Sequence, residues 1–321
     1  TKGMKPFLEA AQIRSSMYGP NIQRKLDGSI QNEPNIIRAP TDKFAILSPK
    51  IEARNNLEGF EGFKGNTPNP VNLPLPENIY STAKKVLVDA HRNKKFQIIE
   101  IHNRPYLVNS IYLNLKNKNR MSLFLHNDPL EVKGSKTIED RRNLLSKLDK
   151  IYCVSNYIKK RFLDGIKDDL DKVVVLYNGV IRSQKVMPKK LKQIIYVGRI
   201  VKEKGVDLFV EAIKEIYKDF KDWNFKIIGT PRLGINTLDQ FSRKIKHDFE
   251  SLGDRAEMLG FVNSEDLRHI MSETSIIVIP SRWNEPFGLV AAEAMSNGIA
   301  IVSSNSGGLP EIISNNGILI D

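Results

Sequence analysis

Two glutamates late in the chain, Glu285 and Glu293, are the residues whose type and spacing most strongly indicate chemistry. Glu285 follows an apolar segment, and Glu293 lies in the alanine-rich segment after it. A carboxylate beside a phosphate is electrostatically unfavourable, whereas it binds hydroxyls well and stabilises a developing positive charge. Solvated glutamates at a helix end are the alternative, which the apolar neighbours of Glu293 disfavour. The pair therefore predicts a sugar- or ribose-binding site.

Two cations, Arg199 and Lys204, flank a turn that follows another apolar segment. Gly198 permits a tight turn there, and Gly205 precedes a segment of helical periodicity. Cations beside a helix N-terminus suit a diphosphate, because the first-turn N–H groups add positive potential. On its own this pattern is more typical of a polar loop with surface cations. The diphosphate role depends on the nearby carboxylates.

Two histidines follow neighbouring apolar segments in the first half of the chain. His102 stands in Glu-Ile-His-Asn-Arg-Pro and His126 in Phe-Leu-His-Asn-Asp-Pro. A single loop histidine is usually a surface residue, but the ends of adjacent parallel strands meet at one sheet edge, where ligands bind. Asp169 and Asp171 form the Asp-x-Asp pattern of a metal site within a run of charges. For these aspartates we expect a solvated loop.

The elements that must position these residues alternate between apolar strands and helices from about residue 192 onward. The predicted strands are residues 194–198, 225–228, 257–262, 275–280 and 299–302. The helix after the first strand carries a predicted apolar stripe: Leu208, Phe209, Ala212, Ile213, Ile216 and Phe220. Asn263 predicts a helix N-cap, and Gly298 predicts a left-handed cap after a helix over 288–297. This alternation predicts a parallel, doubly wound sheet.

The first half also reads as α/β. Its predicted strands are residues 95–101, 121–125, 150–154 and 172–177. The glycines and prolines of residues 54–76 predict a long loop, and residues 1–40 give no clear assignment. The lysine-rich segment 181–191 predicts a linker. We therefore expect two domains, residues 1–190 and 191–321.

Composition narrows the functional classes. The 321 residues carry a net charge of +12, and the whole basic excess lies in residues 1–190. Such a field attracts nucleic acid, an anionic membrane surface or an anionic acceptor, although the charge alone slightly favours a solvated lysine-rich surface over any specific site. No apolar run approaches the ~20 residues that span a bilayer. Cys153 is the single cysteine, which excludes an internal disulfide and suits a reducing compartment.

Several segments, in order along the chain, resemble the retaining GT-B glycosyltransferases of family four (glycosyl transferases group 1). They are Gly198-Arg199 with Lys204-Gly205, Gly260-Phe-Val262, Pro280-Ser281, Glu285-Pro-Phe-Gly288 with Glu293-Ala294, and Gly307-Gly-Leu-Pro-Glu311. The resemblance is dense over residues 192–317 and thinner before them. It implies two Rossmann-like domains that face a cleft, with the acceptor side in residues 1–190 and the nucleotide-sugar donor in residues 191–321.

The resemblance also implies a role for each matching residue. Arg199 and Lys204 would hold the donor diphosphate, and Glu293 the ribose hydroxyls. Glu285 would contact the donor sugar near its 3- and 4-hydroxyls, and His126 would contact the sugar from the first domain; these two are the catalytic candidates. The other implied positions are the backbone of Phe287, Gly288 and Leu289 at sugar and phosphate, Gly229, Phe261 and Val262 around the base, and His102 on the acceptor side.

The implied reaction is retaining transfer through an oxocarbenium-like step, with no metal or other cofactor. A cell-envelope glycan acceptor, such as lipopolysaccharide or another surface polysaccharide, would fit the basic first domain. We then expect a cytoplasmic protein with peripheral contact to the inner face of the membrane. The family's glycine-rich first loop and its final helices have no counterpart here, so we expect a chain truncated at one or both ends. Donor sugar, base and acceptor are not given by the sequence.

Two other functional classes are alternatives to a glycosyltransferase. A non-catalytic nucleotide- or nucleic-acid-binding α/β protein would explain the basic first half, but it leaves both glutamates and His126 without a role. A nicotinamide-dependent oxidoreductase is disfavoured, because no Gly-x-Gly-x-x-Gly follows a strand.

Overall fold

The computed structural model of the protein describes residues 44–47, 98–115, 120–180, 188–231 and 238–321. The chain forms two compact units that divide between Leu176 and Tyr177. We call them the N-terminal unit and the C-terminal unit. The predicted loop 54–76, residues 1–40 and residues 181–187 of the predicted linker lie outside the described residues. Among the described residues, no helix combines the length and apolar character needed to cross a membrane.

The N-terminal unit contains a parallel sheet whose strands are ordered as they occur in the sequence. The strands are β1 (Phe44–Leu47), β2 (Ile98–His102), β3 (Arg120–Leu125), β4 (Lys150–Cys153) and β5 (Val173–Val175). The helices are α1 (Val108–Leu115), α2 (Ile138–Lys147) and α3 (Asn156–Leu163). Strands β2 and β3 pair so that His102 is opposite Phe124. This register places His126 directly beyond the end of β3 and close to His102.

The C-terminal unit contains a six-stranded parallel sheet. Its strands are β6 (Leu191–Val197), β7 (Asn224–Ile228), β8 (Ala256–Gly260), β9 (Thr274–Ile279), β10 (Ala300–Ser304) and β11 (Gly317–Ile320), in the order β11-β10-β9-β6-β7-β8. The helices are α4 (Val206–Ile216), α5 (Gln240–Glu250), α6 (Ser264–Glu273), α7 (Leu289–Ser296) and α8 (Leu309–Ile313). The predicted class of two Rossmann-like α/β units is confirmed.

The strand order of the C-terminal unit reverses between β6 and β9. From β6 the chain first winds outward through β7 and β8, and then returns to the other side of β6 with β9. In open α/β sheets ligands bind at such a reversal. The segment after β6 contains Arg199 and Lys204, and the segment after β9 contains Glu285.

Helix α4 packs on the sheet through a stripe that overlaps the predicted one at Phe209 and Ile213. Its buried side chains are Val206, Phe209, Val210 and Ile213, at the i, i+3, i+4, i+7 spacing of one helix face. The predicted stripe members Leu208, Ala212 and Phe220 are exposed and were wrong. Leu208 and Ala212 lie one position away from the buried face, and Phe220 follows the end of the helix.

The predicted helix caps are confirmed. The side chain of Asn263 accepts hydrogen bonds from the N–H groups of Glu265 and Asp266 at the start of α6. Gly298 has a φ of +63° directly after α7. Lys190 links the C-terminal ends of α6 and α7. Its ammonium donates to the carbonyl oxygens of Ser272 at 2.8 Å and Asn297 at 2.6 Å.

Candidate functional site

The turn after β6 carries the two cations that the sequence singled out. Arg199 is exposed, and its carbonyl oxygen accepts a hydrogen bond of 2.7 Å from the buried hydroxyl of Tyr196. Lys204 ends a short 3-10 turn, and Gly205 follows it with a φ of +69°. A Cβ at Gly205 would lie 1.7 Å from the carbonyl oxygen of Pro280, so only glycine fits here. The turn after β6 therefore lies directly against the segment that leaves β9.

Hydrogen bonds join these two loops. The Glu203 carbonyl oxygen accepts from the backbone N–H groups of Arg282 at 2.9 Å and Trp283 at 3.1 Å. The Arg282 guanidinium donates to both carboxylate oxygens of Asp207, at 2.6 and 3.0 Å, and to the Lys202 carbonyl oxygen. Burial alone would raise the pKa of Asp207, but its bonds to Arg282 outweigh burial and lower that pKa. The loops after β6 and β9 therefore form one frame.

Lys204 and Glu285 form an ion pair inside this frame. Lys204 Nζ lies 2.5 Å from Glu285 Oε1, and the side chains are only 19% and 13% exposed. The ammonium also lies 4.6 Å from the ring centre of Trp283, which is a cation–π contact. The pKa of Tyr196 is raised mainly by burial and next by the Glu285 carboxylate. The structure thus brings together the predicted diphosphate ligand and the predicted sugar ligand.

The backbone of Glu285 is fixed by the glycine pair that follows β10. The N–H of Gly308 donates to the Glu285 carbonyl oxygen at 2.6 Å. Gly307 has a φ of +58°, and a Cβ there would lie 2.3 Å from that same oxygen. Two loops on opposite sides therefore hold Glu285 in place, one through its side chain and the other through its main chain.

Helix α7 begins at Leu289, four positions after Glu285. Gly288 precedes the helix with a φ of +91°, and a Cβ there would lie 2.4 Å from Leu309 Cδ2. Phe287 is buried and its ring centre lies 6.2 Å from that of Tyr177, while Leu289 is exposed. The positive end of the α7 dipole is thus close to Glu285 in sequence and suits an anion.

Glu293 lies half-buried in α7, among alanines that are fully buried. Its carbonyl oxygen accepts hydrogen bonds from the Ser296 hydroxyl at 2.7 Å and the Asn297 amide at 2.9 Å. These bonds order the C-terminal half of the helix. The ribose role of Glu293 stays a prediction.

The residues predicted around a base lie at the ends of β7 and β8. Gly229 follows β7 with a φ of +143°, and a Cβ there would lie 1.8 Å from the Gly198 carbonyl oxygen. Phe261 follows β8, is 50% exposed and lines a cavity of about 180 Å³. Thr230, Lys246 and Met258 also line this cavity. Val262 is half-buried beside Phe261 and is not among the lining residues. The cavity could hold a planar ring, and that role stays a prediction.

In the N-terminal unit the two histidines are in direct contact. His102 Nδ1 lies 3.0 Å from His126 Nε2, and the rings stack with their centres 5.3 Å apart. His102 is 9% exposed and also stacks on Phe124 at 4.4 Å. His126 is half-buried at the end of β3.

The Asp-x-Asp pattern lies on a short 3-10 turn before β5. Asp169 and Asp171 are both exposed there. Within the described ranges, no cluster of three or more His, Cys, Asp or Glu side chains could hold a metal ion.

Several residues of these sites were not singled out from the sequence. Trp283, Asp207 and Arg282 complete the frame around Lys204, and Glu100 lies behind His102. What places these residues in the sites is their contacts with residues far away in the chain, which the sequence does not reveal. A tryptophan directly after the Pro-Ser-Arg segment was visible, but nothing in the sequence related it to Lys204.

Part of the chain is similar to a known protein family. Residues 179–321 match the family model described as glycosyl transferases group 1. An uncharacterized glycosyltransferase of Methanocaldococcus jannaschii is 34% identical over 175 residues, which are 54% of this chain and 45% of that protein. The spore coat protein SA of Bacillus subtilis is 26% identical over 296 residues, which cover 84% of this chain and 72% of that protein. The chain thus spans less than half of the first relative.

Among solved structures, the Anabaena protein HepE in complex with UDP has a TM-score of 0.61 at 18% identity. That similarity covers 74% of this chain and 68% of HepE. It shows that the two proteins share a fold.

Proposed function

Residues 179–321 belong to the glycosyl transferases group 1 family, and from this premise we propose that the chain is a retaining glycosyltransferase of the GT-B fold. The substrate is a nucleotide-sugar, and the acceptor is a cell-envelope glycan. One observation carries the proposal furthest: the Lys204–Glu285 pair lies at the reversal of strand order, where open α/β sheets bind ligands.

The donor would lie across the frame of the two loops. Arg199 and Lys204 hold the diphosphate, together with the positive end of α7. Glu285 accepts hydrogen bonds from the sugar hydroxyls, and Glu293 binds the ribose. The backbone at Gly288 approaches the sugar and phosphate. The cavity beside Phe261, near Gly229 and Val262, receives the base.

The chemistry follows from where charge develops. As the bond between the sugar and the diphosphate lengthens, negative charge grows on the diphosphate and positive charge on the sugar ring. Lys204 and Arg199 stabilise the diphosphate, and preorganised groups of this kind are a large part of catalysis. Our proposal also assigns His126 to the donor sugar. The acceptor attacks the face from which the diphosphate leaves, so the configuration is retained.

The acceptor is inferred from charge. The basic excess of residues 1–190 favours an anionic glycan or glycolipid, such as lipopolysaccharide or another surface polysaccharide. The same charge favours peripheral binding at the cytoplasmic face of the membrane. The alternative, a non-catalytic nucleotide- or nucleic-acid-binding protein, would not need a carboxylate in the diphosphate site.

A thermal-shift panel of UDP-, GDP- and ADP-sugars tests the donor assignment. Ligand at 100 times its dissociation constant stabilises a protein by about 2.7 kcal/mol, so one group of donors is expected to raise Tm clearly. Lys204→Met is expected to abolish the shift. Lys202→Met, an exposed lysine of the same turn, is the matched control and keeps it. Salt-sensitive RNA or DNA binding without any sugar-nucleotide shift would favour the alternative.

A further inference from the structure

The end of β2 supports His126 at two points. His102 Nδ1 contacts the His126 ring at Nε2, 3.0 Å away. The Asn103 side-chain oxygen accepts a hydrogen bond from the His126 backbone N–H at 3.3 Å. Asn103 is itself held, because its N–H donates to the Phe124 carbonyl oxygen at 2.7 Å. Both the side chain and the main chain of His126 are therefore fixed by the neighbouring strand.

His102 is placed to support rather than to bind a large acceptor. Its side chain is buried and lies parallel to the Phe124 ring, which stacks in turn on Tyr152 at 4.6 Å. A ring held in such a stack has little freedom to turn toward solvent. Its polar contact at Nδ1 is with His126.

Glu100 supplies a charge behind His102. Its carboxylate is buried, and Oε2 lies 4.0 Å from His102 Nε2. Among the described residues, this Nε2 is buried and has no hydrogen-bond partner. A nearby negative charge favours the proton on that nitrogen. His102 Nδ1 then carries a lone pair and accepts a hydrogen bond from His126 Nε2–H, which leaves His126 Nδ1 as an acceptor.

The charge of Glu100 also reaches the next strand. Burial raises the pKa of Tyr152, and the Glu100 carboxylate raises it further, so this phenol stays neutral near pH 7. The groups that surround His102 are then the Glu100 carboxylate, the neutral Tyr152 and Phe124 stack, and His126.

We propose that Glu100 and His102 are positioning residues that hold His126 in its Nε2–H tautomer, in which Nδ1 carries the lone pair. This inference rests on the proposed function, because a sugar hydroxyl is the group that His126 would meet.

Ring nitrogen spectra test the tautomer without any substrate. The chain has five histidines, so ¹⁵N-labelled protein gives few signals, and single His→Asn variants assign them. We expect His126 to be protonated at Nε2 in the wild type and to become a mixture of tautomers in Glu100→Gln. An Nδ1–H tautomer of His126 in the wild type would overturn the proposal. So would a His126 signal that stays as in the wild type in both Glu100→Gln and His102→Asn.

Kinetics of donor turnover test the consequence. His102→Phe keeps the ring volume and the stack but loses the hydrogen bond, and we expect kcat to fall about 100-fold with donor KM little changed, as for a misplaced catalytic group. His102→Asn keeps a polar atom near the Nδ1 position and is expected to recover part of that loss. His247→Asn, at a highly exposed position on α5, is the control.

Other outcomes contradict the proposal in distinct ways. A lower Tm with unchanged kcat in His102→Phe would show a purely structural role. A rise in acceptor KM alone would restore His102 to the acceptor side. Wild-type protein that turns over no sugar-nucleotide would count against the proposed function, whereas the nitrogen spectra would still decide the tautomer.

Discussion

Lys204 Nζ lies 2.5 Å from Glu285 Oε1, although 81 positions separate the two residues in the chain. The cation expected at the donor diphosphate is therefore neutralised by the carboxylate expected at the donor sugar. In the donor site that we propose, a diphosphate competes with Glu285 for Lys204. When it succeeds, Glu285 becomes available to the sugar hydroxyls, so binding of the two halves of the donor is coupled.

The first prediction separates binding from turnover. Glu285→Gln removes the competing carboxylate, and we expect a nucleoside diphosphate to bind up to about fivefold more tightly, since such a pair is worth up to about 1 kcal/mol. Donor turnover is expected to fall by about 100-fold or more, because a group that stabilises the transition state is lost. Calorimetry and a donor-hydrolysis assay measure the two effects. Glu215→Gln, at an exposed position of α4, is the control; unchanged turnover in Glu285→Gln would remove Glu285 from the site.

The second prediction concerns pH. The folded-state pKa of Asp207 lies below its ordinary value of 3.8, because its bonds to Arg282 outweigh burial. Its contribution to stability is therefore complete above the unfolded pKa and is lost as pH falls through the folded pKa. Asp207→Asn is expected to destabilise the protein near pH 7 by about 0.5–1 kcal/mol and to approach wild-type stability below pH 3. Urea unfolding across pH measures this. An equal loss at every pH would assign the effect to packing instead of charge.

The third prediction uses two glycines with similar backbone angles. Gly307 and Gly298 have φ of +58° and +63°, but a Cβ at Gly307 would meet Glu285 while one at Gly298 would meet nothing within 4 Å. Gly298→Ala is expected to cost about 1–2 kcal/mol, from the left-handed conformation alone. Gly307→Ala is expected to cost more and to weaken donor binding, because the Glu285 backbone must shift. Equal losses of stability and unchanged donor affinity in both variants would contradict this.

The fourth prediction concerns the start of the C-terminal unit. The Tyr177 hydroxyl donates to Glu311 Oε2 at 3.0 Å. Tyr177→Phe keeps the ring beside Phe287 and loses this bond, which is expected to cost about 1–2 kcal/mol because the acceptor is charged. Denaturant unfolding measures the change. Tyr177→Phe in a Glu311→Gln background should cost less, and an equal cost in both backgrounds would show that the charge of Glu311 does not strengthen this bond.

The strands and most helices could be predicted because their signals are local. The segment before Arg199 and the segment before Glu285 are apolar on both faces, which is typical of buried parallel strands. The stripe of α4 was misplaced because Leu208 and Ala212 are apolar but exposed. Composition alone does not distinguish an exposed apolar residue from a buried one.

The site could be predicted only in part. Arg199, Lys204 and Glu285 were identified by type and by position after strands. Their common location depends on strand order, which local periodicity does not encode. The contact between Lys204 and Glu285 could therefore be found only from the order of the strands in the sheet. The same holds for the proximity of Glu100 to His102.

The close approach of Gly205 to Pro280 limits which residues of the proposed donor site can change. A Cβ at Gly205 would lie 1.7 Å from the Pro280 carbonyl oxygen, so two main chains meet there with no side chain between them. Any side chain larger than that of glycine at position 205 would push the two loops apart. In the donor site that we propose, a change of donor preference is therefore expected from substitutions at exposed residues such as Phe261 and Leu289 and not at this contact.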